Sequence, residues 1–154
     1  VAEQKICPFC VVDGNKNRIF WEGTTAFATF SNPRLMEGHL LVIPKRHVGA
    51  PFELYPQEYQ ELFATATRFQ KKLIEFHSAL WRKPAGCDMS IHTRPFMPQT
   101  ELAIPGHVHV HLRPRYFMDP YWQIVGRHED EIFEKFPPDE MDRVHSLFAG
   151  FLAD

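Results

Sequence analysis

Apolar side chains recur every three or four positions between Pro56 and Trp81. Tyr59, Leu62, Phe63, Ala66, Phe69, Leu73, Phe76 and Leu80 form one stripe, the period of a helix that turns one face to a core. Pro56 suits a first helical turn, and Lys83-Pro84 with Gly86 marks the stop. The aromatics of this stripe are expected in the core. Before it the pattern is that of short strands. Arg18–Glu22 and Ala26–Phe30 flank Gly23-Thr24-Thr25 as a hairpin, and His39–Pro44 is an apolar run expected to be buried on both faces. Cys87–His92 reads as another strand. A Pro-interrupted loop spans 93–106, and a last helix is predicted from Pro138, with Met141, Val144, Leu147, Phe148 and Phe151 on one side. Asp139 and Glu140 sit at the favourable end of its dipole. Few strands beside one long and one shorter helix predict an α+β fold with an antiparallel sheet of about five strands.

One strand carries chemistry as well as pattern. In Gly106-His107-Val108-His109-Val110-His111-Leu112-Arg113-Pro114-Arg115, strict alternation puts His107, His109 and His111 on one face and Val108, Val110 and Leu112 towards a core. With ~3.3 Å rise per residue, adjacent imidazoles start roughly 6.6 Å apart. Two chemistries fit such a row. Imidazoles at i and i+2 can converge on one zinc. Alternatively, the middle ring is a nucleophile that its neighbours orient, since neutral imidazole is reactive near pH 7. The pattern leans towards the second.

Composition sets bounds. The 154 residues are 44% hydrophobic, with a formal charge of −2, which fits one globular domain over 1–154 and gives no electrostatic case for nucleic acid or an anionic membrane. No apolar run approaches the ~20 residues of a membrane span. Val1–Ile6 lacks the apolar core of a signal peptide, and a cytoplasmic location is the default expectation. Three cysteines make no disulfide framework. Cys7-Pro8-Phe9-Cys10 reads as half a zinc site, a redox pair or two small apolar residues.

The histidine run, the block Gly38-His39-Leu40-Leu41-Val42-Ile43-Pro44-Lys45-Arg46-His47 and the N-terminal C-x-x-C together resemble the histidine triad family of nucleotide hydrolases and transferases. The resemblance covers residues 7–115, leaving 116–154 as a C-terminal extension. It implies that His109 attacks the α-phosphorus of a nucleoside 5′-phosphoryl compound and carries the nucleotidyl group. His111 would then bond phosphate oxygens, and His107 would orient the nucleophile's surroundings and protonate the leaving group. His39 would lie near the active site or base pocket. Arg113 or Arg115 either adds charge at the phosphates or is structural.

Two departures stand out. Where the family has an Asp or Asn for the ribose, this chain has Ser31 with Asn32 beside it. Where many members have a hydroxyl residue three positions before the first triad histidine, it has Ile104, which leaves Gln99 or Thr100 to reach in. The Ile-Pro-Gly-His run resembles most the branch that handles diadenosine polyphosphates, or the related nucleotidyl transferases. The resemblance further implies a structural zinc on Cys7, Cys10, His47 and His107, with no organic cofactor, and a homodimer. The expected function is cleavage at the α-phosphate of dinucleoside polyphosphates or nucleoside phosphoramidates. The alternative is a nucleotide- or zinc-binding module with little catalytic activity.

Overall fold

The computed structural model describes residues 7–11, 19–32, 34–93, 106–123 and 137–149. The chain divides into two compact units, Val1–Phe117 and Met118–Asp154.

The first unit is an antiparallel sheet with a helix across one face. Its strands are β1 (Ile19–Glu22), β2 (Ala26–Phe30), β3 (Leu40–Pro44), β4 (Ala85–Ile91) and β5 (Val110–Tyr116), and helix α1 spans Pro56–Trp81. The order is β1-β2-β3-β5-β4. The expected α+β fold with a five-stranded sheet is therefore observed. β3 lies between β2 and β5, pairing Leu41 with Thr29 on one side and His111 on the other. That central position explains its continuous apolar sequence, since all five of its residues are buried.

The alternation along each strand sorts side chains onto two faces. Ala26, Ala28, Leu40, Val42, Val110 and Leu112 pack with Leu62, Ala66 and Leu73 of α1 in one cluster. Phe27, Leu41 and Ile43 form a second cluster with Cys7 and Phe9 on the opposite face. The N-terminal C-x-x-C is thus brought against the sheet face to which the odd-numbered positions of β3 and β5 belong.

Both ends of α1 carry the devices predicted. Pro56 opens it, and the Glu58 carboxylate accepts the Tyr55 N–H at 2.8 Å. Arg46 grips the same carboxylate through two nitrogens, at 2.9 and 2.7 Å, holding the chain after β3 against the helix start. The β1–β2 hairpin is tied to the second turn of α1 by Glu61, which accepts N–H bonds from Thr24 and Thr25. Arg82 ends the helix in the left-handed region, at φ 51°.

The predicted stripe is only partly core. Leu62, Ala66 and Leu73 are buried and Phe63 and Phe69 half-buried, whereas Tyr59, Phe76 and Leu80 are exposed. The sheet's apolar face is narrower than the stripe, so its flanks look outwards.

In the second unit, α2 spans Pro138–Ala149 with Asp139 and Glu140 in its first turn. Asp119 caps a short turn by accepting the Trp122 N–H at 2.6 Å. Leu147 is exposed, and Phe151 lies outside the described residues. No described helix is long and apolar enough to cross a membrane.

Candidate functional site

The histidine run enters its strand later than its alternation predicts. Ladder pairing of β5 begins at Val110 rather than His107. The reason is local. Val108 N–H bonds the Val48 carbonyl at 2.7 Å, and the His107 carbonyl accepts the Nδ1–H of His109 at 2.8 Å. Those backbone groups are committed before β3 comes alongside.

Each imidazole meets a different partner, and the partner fixes its tautomer. His107 is buried, and its Nε2–H donates to the Pro44 carbonyl at 2.8 Å, so its lone pair sits on Nδ1. His109 uses Nδ1–H on the His107 carbonyl, so its lone pair sits on Nε2. His39 accepts the Leu35 N–H at Nδ1 over 3.3 Å. Its proton is therefore on Nε2, donated to His111 Nδ1 at 3.0 Å. His111 in turn carries its proton on Nε2. His109 and His111, with ring centroids 4.6 Å apart, present a lone pair and an N–H respectively.

Burial keeps these rings neutral. It pushes His109 and His107 below the ordinary imidazole value. Burial, with the Arg113 charge and His109 nearby, lowers His39 to about 4. Burial, with His109, His39, His92 and Arg113 around it, lowers His111 to about 3.

On the other side of His107 lies a cluster of four side chains. Its Nδ1 stands 3.4 Å from Cys7 Sγ and 3.6 Å from Cys10 Sγ, and His47 Nδ1 stands 3.1 Å from Cys10 Sγ. All four ligand atoms lie within 4.8 Å of one another. Tetrahedral zinc with ordinary Zn–S and Zn–N bonds separates such atoms by about 3.6 Å. The spacing, the donor set and the orientation of Nδ1 all suit a structural zinc. The Pro44 carbonyl supplies the outer hydrogen bond that metal-bound histidines usually make. Phe9, between the two cysteines, packs edge-on against both His107 and His109, at 5.6 and 5.3 Å.

Beyond His39 opens a cavity of about 600 Å³, bounded by Phe20, Phe30, Phe76, the 31–38 loop and His77. Ser31 and Asn32, predicted to hold a ribose, line it along with His39. Gln99, Thr100 and Ile104 lie outside the described residues. Arg115 is bonded to Asp88 at 2.6 Å and Arg113 to Ser90 at 2.6 Å, both across the β4–β5 pair. The aromatic walls, Arg34, Glu37 and His77 were not singled out from the sequence. His77 had a signal, since it follows Leu73 by four residues on the apolar stripe.

Comparison with known proteins decides the fold. No protein-family model matches the chain. A bifunctional bis(5′-adenosyl)-triphosphatase/adenylylsulfatase of Arabidopsis thaliana is 29% identical over 131 residues, covering 82% of this chain and 67% of that protein. The histidine triad nucleotide-binding protein of Candida albicans superposes with a TM-score of 0.66 at 17% identity, covering 96% of this chain and 97% of its own. The chain has the histidine triad fold. A zinc-bound histidine triad protein of Mycobacterium smegmatis superposes at 0.51 and 19% identity, over 75% of this chain and 78% of that one. On this histidine triad fold, His107 links the zinc-type cluster, to which its ring belongs, to the His109–His111 pair, through its carbonyl on His109 Nδ1–H.

Proposed function

We propose that this chain binds a nucleoside 5′-phosphoryl compound, with a zinc ion at Cys7, Cys10, His47 and His107 holding the histidine run in place. The observation that carries this reading is the pair of neutral imidazoles, His109 and His111, whose ring centroids lie 4.6 Å apart and which present a lone pair and an N–H side by side. Phosphate oxygens meet the His111 Nε2–H, and Ser31 or Asn32 stands at the ribose. The likeness to the Candida and Mycobacterium proteins, one nucleotide-binding and one zinc-bound, supports it. Isothermal titration with adenosine 5′-monophosphate tests it, and absence of binding to zinc-loaded protein overturns it.

The tautomers favour catalysis as well. His109 offers the Nε2 lone pair of a neutral ring whose Nδ1–H is already bonded. Attack on the α-phosphorus forms an N–P bond as the bond to the leaving group breaks. The His111 N–H meets the charge on the phosphoryl oxygens. Water or another acceptor then displaces His109 and releases the nucleotide. His107 has both ring nitrogens engaged, at Pro44 and at the cluster, so we assign it to positioning rather than to protonating the leaving group.

Dinucleoside polyphosphates, named in the Arabidopsis relative's activity, and phosphoramidates are the candidate donors. Intact-protein mass spectrometry after a brief, acid-free quench should show a nucleotidyl increment that His109→Ala abolishes. A chain that binds nucleotide yet shows neither increment nor product is a binding module. A homodimer in a cytoplasmic setting completes the proposal.

A further inference from the structure

Attack by His109 leaves one proton to be found. An oxygen or nitrogen that departs from phosphorus takes an electron pair with it, and a positioned acid that protonates it is worth about 10²–10⁴-fold. The imidazoles of the site do not supply that acid. His107 has both nitrogens engaged, at Pro44 and at the cysteines. His39 gives its Nε2–H to His111, and His109 gives its Nδ1–H to a carbonyl. His111 keeps an Nε2–H, but burial lowers the ring to about 3, so it is neutral and donates a hydrogen bond without parting with its proton. The sequence has Ile104, not a hydroxyl, ahead of His107.

A further imidazole stands beside the row, on β4's side of the sheet. β4 pairs with β5 so that Ser90 is opposite His111 and Ile91 opposite Val110. Directly opposite residues share a face. Ser90 therefore lies on the histidine face, and His92, two residues on, follows it there. The ring contact agrees, since the His92 and His111 centroids are 5.2 Å apart. His111 is thus met by three rings, with His109 at 4.6 Å and His39 at 5.3 Å. Of those three, His92 is the exposed one. Across the strand pair it faces His109 and His111, with Arg113 beyond, held by Ser90 at 2.6 Å. An imidazole open to water takes up and gives up a proton near neutral pH.

We propose that His92 is the general acid of the site, giving its proton to the group that leaves phosphorus. This rests on the catalytic reading and deepens it. As His109 Nε2 bonds to phosphorus, the bond to the leaving atom breaks, its electron pair goes to that atom, and the proton of the His92 imidazolium joins it. His92 is left neutral. In the second half water adds to phosphorus as the bond to His109 breaks, and the proton that water sheds restores the His92 imidazolium. Such an acid matters in proportion to the basicity of the leaving group. An alkylamine leaves a phosphoramidate only with a proton, whereas a 4-nitrophenolate leaves without one. His92 therefore equips the site for phosphoramidates and other substrates with basic leaving groups.

Turnover of two adenylyl donors by the zinc-loaded full chain tests the proposal, one an adenosine 5′-butylphosphoramidate and the other adenosine 5′-(4-nitrophenyl) phosphate. His92→Gln should lower kcat on the amidate about 10²-fold more than on the nitrophenyl ester. His92→Ala should do the same, and it serves if the Gln variant does not fold. Equal losses on the two donors would make His92 a residue that positions phosphate or supports the strand, and would overturn its role as acid. So would unchanged kcat on both, or a wild-type protein that turns over the ester and not the amidate; each leaves the catalytic reading intact. A wild-type protein that turns over neither donor overturns the catalytic reading, and this proposal with it.

Discussion

Replacing Cys10 by Ser should convert a metal-stapled domain into a measurably weaker one. Cys10 Sγ stands 3.1 Å from His47 Nδ1 and 3.6 Å from His107 Nδ1, and Cys7 Sγ 3.4 Å from His107 Nδ1, against about 3.6 Å for a tetrahedral S–Zn–N edge. Without a metal these groups do not suit one another. Burial and the neighbouring Cys7 push the Cys10 thiol up, whereas a bound dication would hold both sulfurs as thiolates. A metal there would also join segments distant in sequence, at residues 7–10, 47 and 107. A site held at 100 times its Kd stabilises the folded state by ~2.7 kcal/mol. At ~2–4 °C per kcal/mol for a chain of this size, Cys10→Ser or exhaustive chelation should lower Tm by about 5–11 °C. Zinc content by elemental analysis and Tm by calorimetry are read on the same samples. Wild-type protein supplied with zinc that retains no stoichiometric metal, and melts at the same temperature with and without chelator, would refute the reasoning.

Two other perturbations probe the site through stability. Gly38→Ala forces a left-handed φ of +77° on a side chain whose Cβ would sit 2.5 Å from His77 Cε1. A loss of about 2–4 kcal/mol in urea unfolding is expected, and a change under about 0.5 kcal/mol would show that the loop yields freely. For pH, His39 and His111 have folded values of about 4 and 3, below the ~6.5 of an unfolded imidazole. Between those values the unfolded chain binds more protons than the folded one, so stability falls as pH drops from about 6.5 towards 4. His39→Leu should flatten this slope. The measurement is run in chelator so that loss of zinc does not imitate it, and an unchanged slope would remove the buried pair as its cause.

Much of the fold was legible because it rests on period. The 26 residues of α1 begin and end where Pro56 and the stop signals place them, and the hairpin residues 23–25 lie between β1 and β2 as read. The zinc-type cluster was legible from family likeness, and the geometry brings its four residues together. What period does not carry is the width of the face a helix finds to pack against. Phe76 reads as core on the stripe, yet it stands exposed at the cavity on the flank of α1, while the next residue, His77, is buried. Nor does period reveal which backbone groups are already engaged, so the strand predicted from His107 begins its ladder at Val110. His77 was hidden for a third reason. A lone histidine on an apolar stripe carries no mark of whether its second nitrogen will find a partner.

The same limit explains how three similar residues come to differ. Alternation places His107, His109 and His111 in one row, but it does not say which nitrogen of each is reactive. That is decided by groups from other parts of the chain: the Pro44 carbonyl at the end of β3, the carbonyl of His107 itself, and the Leu35 amide acting through His39. The outcome is a lone pair towards the cysteines, a lone pair at His109 Nε2 and an N–H at His111 Nε2. Burial keeps all three rings neutral, and without that these assignments would not hold, since an imidazolium offers two donors and no lone pair. A lone pair at His109 and an N–H at His111 thus stand side by side with no charged ring between them. Because the carbonyl that orients His109 belongs to a residue of the Cys7-Cys10-His47-His107 cluster, whatever fixes His107 also fixes the direction of the His109 lone pair.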